Sequence, residues 1–402
     1  MLKTYSKNLT YLKSIFITVA IIFSLIIIAL IFQYLINVKY KFPEPHSFKG
    51  ALLFNPYQDI DSSKWLIANF HAHTHKFPGN KKINEENSRY LDSIYTLLGY
   101  NVVSISDYQM INPFERKHEW YIPVYEHGYQ YYKNHHLVLN AKKVSWLDYI
   151  FRQTLSNKQF VINSLKKDSS VVLALVHPHL REALSFNDFK YLSNYNCLEI
   201  VDSKFLFTEY FDAALSSGHQ VFLMADDDVH NLKNPYDYGS CFNLINSVPA
   251  SDSILHALKN GRSMAVKLNL NIYKSDDEKK NALNNLLRLL EFRIKNDTIF
   301  LRLSKSVSDI KFIGQKGVIQ KRIANKSSAY YSFTKEDTYI RTEIECMDGT
   351  RLYLNPVFRY NGHLESCSSS PVDVLKTLAG RVILALLILT SSSIIYFRRK
   401  YV

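Results

Sequence analysis

The chain has 402 residues, which is long enough for one barrel domain of about 200–250 residues and a smaller domain. Its net charge of +13, from 49 basic and 36 acidic residues, favours anionic substrates or surfaces, while the lack of a compact basic run interleaved with aromatics argues against a nucleic-acid partner. The four cysteines have no CxxC spacing, which argues against a thiolate zinc site, and they reveal no disulfide pairing.

Residues 14–38 form an apolar run without a charged residue, and such a run is long enough to cross a bilayer. A cleaved signal peptide is the alternative, but its apolar part spans about 7–15 residues and ends at a small-residue cleavage pattern, which is missing here. We therefore expect an uncleaved transmembrane helix, preceded by a cytoplasmic tail of residues 1–13. Residues 39–64, rich in Pro, Lys, Asp and Ser, are predicted to be a linker.

From residue 65 to residue 268, short apolar runs typical of strands alternate with segments that have helical spacing or helix caps. The predicted helices cover residues 88–100, 207–218 and 251–261. Alternation of this kind predicts parallel strands joined by crossover helices. From residue 269 to residue 370 the pattern changes to short alternating segments with a hairpin signal at Asp348-Gly349, which predicts a small antiparallel β domain.

Residues 377–397 contain a second apolar run, which reaches the length of a membrane span only when Arg381 extends to the interface. Lysines precede the first apolar run, and basic residues of a short tail, 398–402, follow the second. Because basic flanks tend to stay in the cytoplasm, this pattern places both termini inside. The sequence therefore predicts a two-pass membrane protein whose domain between the two spans is extracytoplasmic, either periplasmic or at the cell surface.

Six of the predicted strands end or begin at a histidine or an acidic residue. These positions are His71, Asp107, Glu126, His136, His177 and the cluster 226–230. In a (β/α) barrel the ends of successive strands meet at one face, where such folds hold their catalytic residues. The six strand ends therefore predict a metal site at the mouth of a barrel.

The spacing within these motifs supports metal binding. His71 and His73 are two residues apart on extended chain, so both side chains point to the same face and can reach one ion. Asp228 and His230 repeat this spacing, and Glu126 has two carboxylate oxygens with which to bridge two cations. Burying so many ionisable groups without cations would cost several kcal/mol each by ordinary desolvation estimates. We therefore expect divalent metal ions.

In their order along the chain, these motifs resemble the PHP (polymerase and histidinol phosphatase) superfamily of metal-dependent phosphoesterases. The family's HxH motif corresponds to residues 71–73, followed by Thr74, and its TDH motif to residues 106–108. Its later motifs correspond to Glu126 with His136, to His177-Pro178, and to Asp228-Val229-His230. The resemblance implies a distorted (β/α)7-type barrel over residues 65–268, with His71, His73, Glu126, His136, His177, Asp228 and His230 as metal ligands.

Two departures from the family pattern concern the metal count. Family members usually carry another acidic or His ligand shortly after HxH, where this chain has residues 77–79 (Phe-Pro-Gly), and the His of TDH is here Tyr108. In the family, those two positions and the His of DxH hold a third cation. The sequence therefore predicts two ions, of Zn, Mn or Fe, rather than three. The possible substitutes for the lost ligands are His75, Asp107, Tyr108 and His127.

The resemblance implies hydrolysis of phosphate esters by a metal-bound hydroxide. Asp107 and His230 are the candidate catalytic residues, and Arg181 and Arg262 are candidates for contacting the phosphate of a small-molecule substrate. Two alternatives stay open, namely a degenerate barrel that only binds an anionic ligand and a metal-dependent hydrolase of a non-phosphate bond. The sequence identifies no protein partner.

Overall fold

The computed structural model describes residues 2–75, 84–364 and 370–401. The chain divides into two compact units: one comprises Met1–Phe42, Tyr149–Phe160 and Ser370–Val402, and the other, which carries the predicted site, comprises Pro43–Asp148 and Val161–Ser369. The described helices are α1 (Leu2–Ile36), α2 (Glu85–Leu98), α3 (Leu155–Leu165), α4 (Phe186–Tyr191), α5 (Thr208–Ser216), α6 (Ser251–Lys259), α7 (Asp276–Asn284) and α8 (Val374–Tyr401).

Fifteen strands are described, and all of them belong to the second unit. They are β1 (Leu52–Phe54), β2 (Trp65–Asn69), β3 (Val102–Val103), β4 (Val124–His127), β5 (His136–Leu139), β6 (Val172–Leu175), β7 (Cys197–Val201), β8 (Phe222–Ala225), β9 (Cys241–Asn246), β10 (Ser263–Lys267), β11 (Leu289–Lys295), β12 (Thr298–Ile313), β13 (Ile319–Ser332), β14 (Tyr339–Glu345) and β15 (Arg351–Tyr360). The six apolar runs that the sequence singles out correspond to β2, β3, β4, β5, β6 and β8.

These strands form two sheets. A five-stranded sheet has the order β4-β5-β6-β7-β8, and a ten-stranded sheet runs β11-β12-β14-β15-β10-β9-β2-β3, with β1 paired to β15 and β13 to β12. Between the two sheets, isolated bridges join Ala72 to Val229 and Tyr108 to Glu126. The fold is therefore a mixed α/β arrangement, with an open, curled sheet resembling half of a barrel and a second sheet beside it.

The prediction of a (β/α)7-type barrel is wrong, because several successive strands run antiparallel. β4 pairs antiparallel with β5, β5 with β6, β9 with β2, and β10 with β9. A parallel pair needs a crossover of a dozen or more residues, usually a helix, whereas the connection between β4 and β5 is only residues 128–135. Residues 226–240, between β8 and β9, also contain no helix. Without those crossovers the sheet cannot close into a parallel barrel.

The strands after residue 269 are antiparallel, as predicted, but they extend the sheet that contains β2. β15 pairs with β10 from Met264 to Lys267, so β11–β15 continue the sheet that starts at β3. The hairpin predicted at Asp348-Gly349 joins β14 to β15, and Gly349 adopts the positive φ of 79° that such a turn favours. A continuous apolar core, which includes Leu98, Phe242 and Phe312, backs this sheet.

Local sequence explains where α2, the first helix after His71 and His73 in the chain, begins and ends. The Asn84 side chain accepts a hydrogen bond from the Asn87 N–H (3.0 Å), which caps the first turn. Gly99, with φ of 95°, ends the helix in the left-handed conformation that disfavours other residues. Leu91, Tyr95 and Leu98 lie on the buried face. This helix is the crossover between β2 and β3, one of the parallel pairs.

The structure supports the first of the two predicted membrane helices but not the second. Ile15–Ile36, within α1, has a mean hydropathy of 3.2 and is long and apolar enough to span a membrane. Among the described residues no other helix meets that test. α8 covers the predicted second span, residues 377–397, but its sequence includes Lys376, Arg381 and the polar run 390–393. Because Ile15–Ile36 is the only candidate span among the described residues, the prediction of a transmembrane helix at each end is wrong, and the two-pass topology is not supported.

Candidate metal centre

The backbone at the end of β2 is fixed by side-chain acceptors, so that His71 and His73 point inward. The amide N–H of Phe70 donates to the carboxylate of Asp226 (2.6 Å), and the N–H of His71 donates to Asn69 Oδ1 (3.1 Å). One residue beyond His73, the N–H of Thr74 donates to Asp107 Oδ1 (2.7 Å). The imidazoles of His71 and His73 are consequently both buried, as their two-residue spacing predicts.

Four residues form a first cluster of potential ligands: His71, His73, Glu126 and Asp228. Nε2 of His71 lies 3.1 Å from Asp228 Oδ1 and 3.6 Å from Glu126 Oε2. Nε2 of His73 lies 3.1 Å from Glu126 Oε2 and 3.3 Å from Asp228 Oδ1. Ligand atoms around a tetrahedral ion with bonds of about 2.1 Å are about 3.4 Å apart, so these separations fit one ion.

A second cluster of potential ligands contains the other carboxylate oxygen of Glu126, together with His135 and His177. Glu126 Oε1 contacts Nδ1 of His135 and lies 3.0 Å from Nε2 of His177. Glu126 comes from β4, His135 from the residue before β5, and His177 from the end of the run that contains β6. Glu126 is therefore shared by the two clusters, with one oxygen facing each.

The atoms of the first cluster have no hydrogen-bond partner, although they are buried. This holds for Nε2 of His71 and His73, for Oε2 of Glu126 and for Oδ1 of Asp228. A buried polar group without a partner costs about 1–3 kcal/mol, and more when it is charged. Because all four orphaned atoms face one another, a single cation would satisfy them together. These buried groups could therefore hold a metal ion.

The charges around the first cluster also favour a cation. Burial lowers the pKa of His71, but the negative charges of Asp228, Glu199 and Glu126 outweigh burial and hold that pKa well above its usual value. Burial also lowers the pKa of His73, but its close contacts with the carboxylates of Asp228 and Glu126 outweigh burial and raise that pKa to about 9. The acidic groups thus attract a positive charge, which protons on the imidazoles supply when no cation is bound.

Glu199 is a functional residue that the sequence analysis missed. It lies in the middle of β7, is fully buried, and its Oε1 accepts a hydrogen bond from Nδ1 of His71 (3.0 Å). Its other oxygen accepts from the N–H of His177 (2.7 Å). A carboxylate behind a histidine fixes the tautomer that leaves Nε2 free for a metal. An acidic residue inside the otherwise apolar run CLEIV was the signal that could have identified it.

The histidine before β5, rather than the first residue of that strand, belongs to the second cluster. His136 was the predicted ligand, but side chains of adjacent residues on a strand point to opposite faces. His136 packs beside His127, with ring centroids 5.6 Å apart, and its own ring nitrogens have no partner. His135 instead faces Glu126. Gly128, at φ of 129°, makes room for it, since a Cβ there would lie 2.4 Å from the His135 ring.

The carboxylate of Asp107 is surrounded by hydrogen-bond donors of the protein. Its Oδ1 accepts hydrogen bonds from the N–H groups of Thr74 (2.7 Å) and His75 (3.2 Å). Its Oδ2 accepts from the Thr74 hydroxyl (2.7 Å) and from the side-chain amide of Asn112 (3.2 Å). Both oxygens are thus occupied, so Asp107 holds the loop after His73 in place and is not positioned as a catalytic group.

His230 and Tyr108 lie together at the edge of the first cluster. Nδ1 of His230 is 3.0 Å from the carbonyl of Asp228, and its Nε2 is 3.1 Å from the Tyr108 hydroxyl. The Tyr108 ring stacks on His73, with centroids 4.5 Å apart and an interplanar angle of 16°. Both ring nitrogens of His230 therefore have protein partners, and the structure does not group it with the potential ligands.

The remaining predicted residues lie outside the two clusters. The side chain of Arg181 donates to the Tyr131 carbonyl (3.0 Å). The carbonyl of Arg262 accepts a hydrogen bond from the N–H of Asn246, and Asn246 pairs with Trp65, the first residue of β2. Arg262 therefore lies at the opposite end of β2 from His71. His127 contacts the Leu147 carbonyl (2.9 Å). His75, a possible substitute ligand, belongs to neither cluster.

No protein-family model matches this sequence, and no curated protein matches it. Among solved structures, the crystal structure of PsfC from Pseudomonas syringae PB-5123 is similar over 55% of this chain and 97% of that chain. The sequence identity is 11% and the TM-score is 0.37. At that TM-score the similarity supports no conclusion about fold or function.

Proposed function

We propose that this protein is a metal-dependent hydrolase of phosphate esters that acts on a phosphorylated small molecule. The observation that supports this function is the shared carboxylate of Glu126, whose two oxygens face two separate clusters. Pairs of cations about 3.5–4 Å apart are a common device for hydrolysing phosphate esters, because they act on the attacking and the leaving oxygen together. The order of the sequence motifs, which resembles that of the PHP superfamily, favours the same chemistry.

In this proposal two divalent ions of Zn, Mn or Fe would be held, since all three accept imidazole and carboxylate ligands. His71, His73 and Asp228 would hold one ion, His135 and His177 the other, and Glu126 both. When bound, such ions lower the pKa of a coordinated water and stabilise the negative charge that develops on phosphorus.

Residues of the chain itself would then orient the ligands and move protons. Glu199 keeps the Nδ1 proton on His71, so that Nε2 presents its lone pair to the first cluster. His230 is the histidine at the edge of that cluster, with a side chain 31% exposed, and the Tyr108 hydroxyl contacts its Nε2. We assign the transfer of a proton to the leaving alcohol to this Tyr108–His230 pair.

Metal content and hydrolysis by the full-length chain in detergent test this function together. We expect about two ions per chain by elemental analysis, and hydrolysis of p-nitrophenyl phosphate that a chelator abolishes and added metal restores. His73→Ala should lower kcat/KM by roughly 1,000-fold, which corresponds to about 4 kcal/mol of transition-state stabilisation.

The matched control is His118→Ala, because that histidine is 41% exposed, contacts Glu115 and Trp120, and belongs to neither cluster. It should keep both metal and activity. A chain that retains no metal after purification would rule out the proposed enzyme. A chain that holds metal but hydrolyses no phosphate ester would instead support the ligand-binding alternative.

We also propose that α1 anchors the catalytic unit to a membrane, with the unit on the outer side. Lys3, Lys7 and Lys13 precede the apolar segment Ile15–Ile36, and basic residues before a single span tend to keep the N-terminus in the cytoplasm. Protease added to intact cells or spheroplasts should then digest the catalytic unit. Full protection of the unit until the membrane is broken would contradict this orientation.

A further inference from the structure

A lysine at the edge of the metal centre has no carboxylate partner. Lys133 lies in the connection between β4 and β5, two residues before His135. No ion pair joins it to any carboxylate among the described residues 84–364. Its ammonium Nζ lies 5.1 Å from the centroid of the Tyr108 ring, and that ring stacks on His73. Among the described residues, a cation–π contact is thus what holds the positive charge of Lys133 near the first cluster.

The backbone holds Lys133 in an unusual conformation. Its φ is 60°, a region that residues other than glycine adopt uncommonly, and its N–H donates to the Gln130 carbonyl (3.2 Å). His177 and Asp228, which belong to the two clusters, also have positive φ values, of 32° and 50°. Such strain concentrates at functional sites, where the surrounding structure maintains it. Lys133 therefore shares a backbone feature with the residues that surround the potential metal positions.

The neighbouring cation, Arg181, differs from Lys133 because its guanidinium is already engaged. Its Nη1 donates to the Tyr131 carbonyl (3.0 Å), and its Cζ lies 4.5 Å from the centroid of the Tyr131 ring. Arg181 thus supports the loop that carries Lys133. Of these two cations, Lys133 has the donors that remain available to an anion at the site.

We propose that Lys133 is a substrate-binding residue that contacts the phosphate of the bound ester and makes the site prefer phosphate monoesters over diesters. This inference rests on the proposed function. A monoester carries two negative charges near neutral pH and a diester carries one. A third positive element beside two cations therefore stabilises the monoester more strongly.

Kinetics with two esters test this role. In the full-length protein, Lys133→Gln should raise KM for p-nitrophenyl phosphate by about 10-fold or more, as expected when a charged hydrogen bond is lost, with kcat changed little. The effect on bis(p-nitrophenyl) phosphate should be about threefold or less, so the ratio of kcat/KM for monoester over diester falls. Lys133→Arg should recover most of that ratio, and the metal content of both variants should stay unchanged.

Lys142→Gln is the matched control, because that lysine is exposed and pairs with Asp168 (2.7 Å). It should leave the monoester-to-diester ratio unchanged. An equal loss for both esters in Lys133→Gln, or an unchanged ratio, would overturn the assignment.

Direct binding of inorganic phosphate to the metal-loaded protein, measured by equilibrium dialysis, separates this inference from the proposed function. If the protein hydrolyses neither ester but binds phosphate, and Lys133→Gln weakens that binding, the proposed function fails and the role of Lys133 stands. If the protein hydrolyses the monoester and Lys133→Gln binds phosphate as tightly as the unaltered chain, the role of Lys133 fails alone. If the protein neither hydrolyses the esters nor binds phosphate, both fail.

Discussion

Asp227 and Asp228 are neighbours in the sequence, yet their carboxylates have opposite surroundings. Asp227 accepts hydrogen bonds from the N–H groups of residues 239–241 (2.7–3.0 Å), from the Tyr95 hydroxyl (2.8 Å) and from the Asn69 amide (3.3 Å). Among the described residues Asp228 Oδ1 has no hydrogen-bond partner, and it lies 3.1–3.4 Å from ring nitrogens of His71, His73 and His230. A carboxylate surrounded by donors stabilises the fold, whereas one surrounded by other acceptors and imidazoles is suited to a cation.

The sharpest test of this comparison replaces each aspartate by asparagine. Asp228→Asn removes a charged ligand but keeps its shape, so the ion of the first cluster should be lost and phosphate-ester hydrolysis should fall by roughly 1,000-fold. The melting temperature of the metal-free protein should change little. Elemental analysis and the p-nitrophenyl phosphate assay measure the first two quantities.

Asp227→Asn should affect stability instead. Its amide would place a donor against donors from residues 239–241, which costs about 3 kcal/mol and lowers the melting temperature by roughly 5–10 °C. The metal content of the folded protein should stay unchanged. If Asp227→Asn lost the metal while Asp228→Asn kept it, the roles assigned to the two aspartates would be contradicted.

His135 and His136 offer a second comparison, because they are adjacent and both buried. His135→Leu removes a potential ligand, so the second ion should be lost and hydrolysis should fall by about 100-fold or more. His136→Leu places an apolar side chain where two ring nitrogens lack partners, and it should keep the metal with equal or higher stability. Loss of metal from His136→Leu would restore that residue as the ligand that the sequence favoured.

Particular residues show what the sequence could and could not predict. The endings of the apolar runs identified His71, His73, Glu126, His177 and Asp228, because a strand end fixes where a side chain emerges. The choice between His135 and His136 depends on strand register, and a shift of one residue moves a side chain to the other face. Glu199 was missed because it lies inside a strand rather than at its end.

The barrel prediction failed for a related reason. Hydrophobic periodicity identifies a strand but carries no information about the direction of its neighbour. The short connection 128–135 was the available signal, since a span of that length joins antiparallel strands much more readily than parallel ones. Likewise, the apolar run 377–397 suggested a span, but the only candidate span among the described residues is Ile15–Ile36.

Glu199→Gln should have a smaller effect than loss of a direct ligand. The amide keeps the shape of the side chain but removes the charge that holds a proton on Nδ1 of His71. Loss of such a supporting carboxylate typically costs about 10–100-fold in metal affinity. Competition with a coloured chelator measures that change. An affinity unchanged within about twofold would show that the orientation of His71 does not depend on Glu199.

The smallest expected effect concerns the protons that the cations displace. In the metal-free protein the pKa of His73 is raised to about 9, so this imidazole is mostly protonated at pH 7 and must lose its proton before it binds a metal. Metal affinity should therefore fall as the pH decreases from 9 to 7, by about tenfold per unit from His73 alone. Calorimetry in buffers of different ionisation enthalpy measures the protons released on metal binding. Binding without proton release at pH 7 would mean that the acidic groups around His73 do not hold a positive charge in the metal-free state.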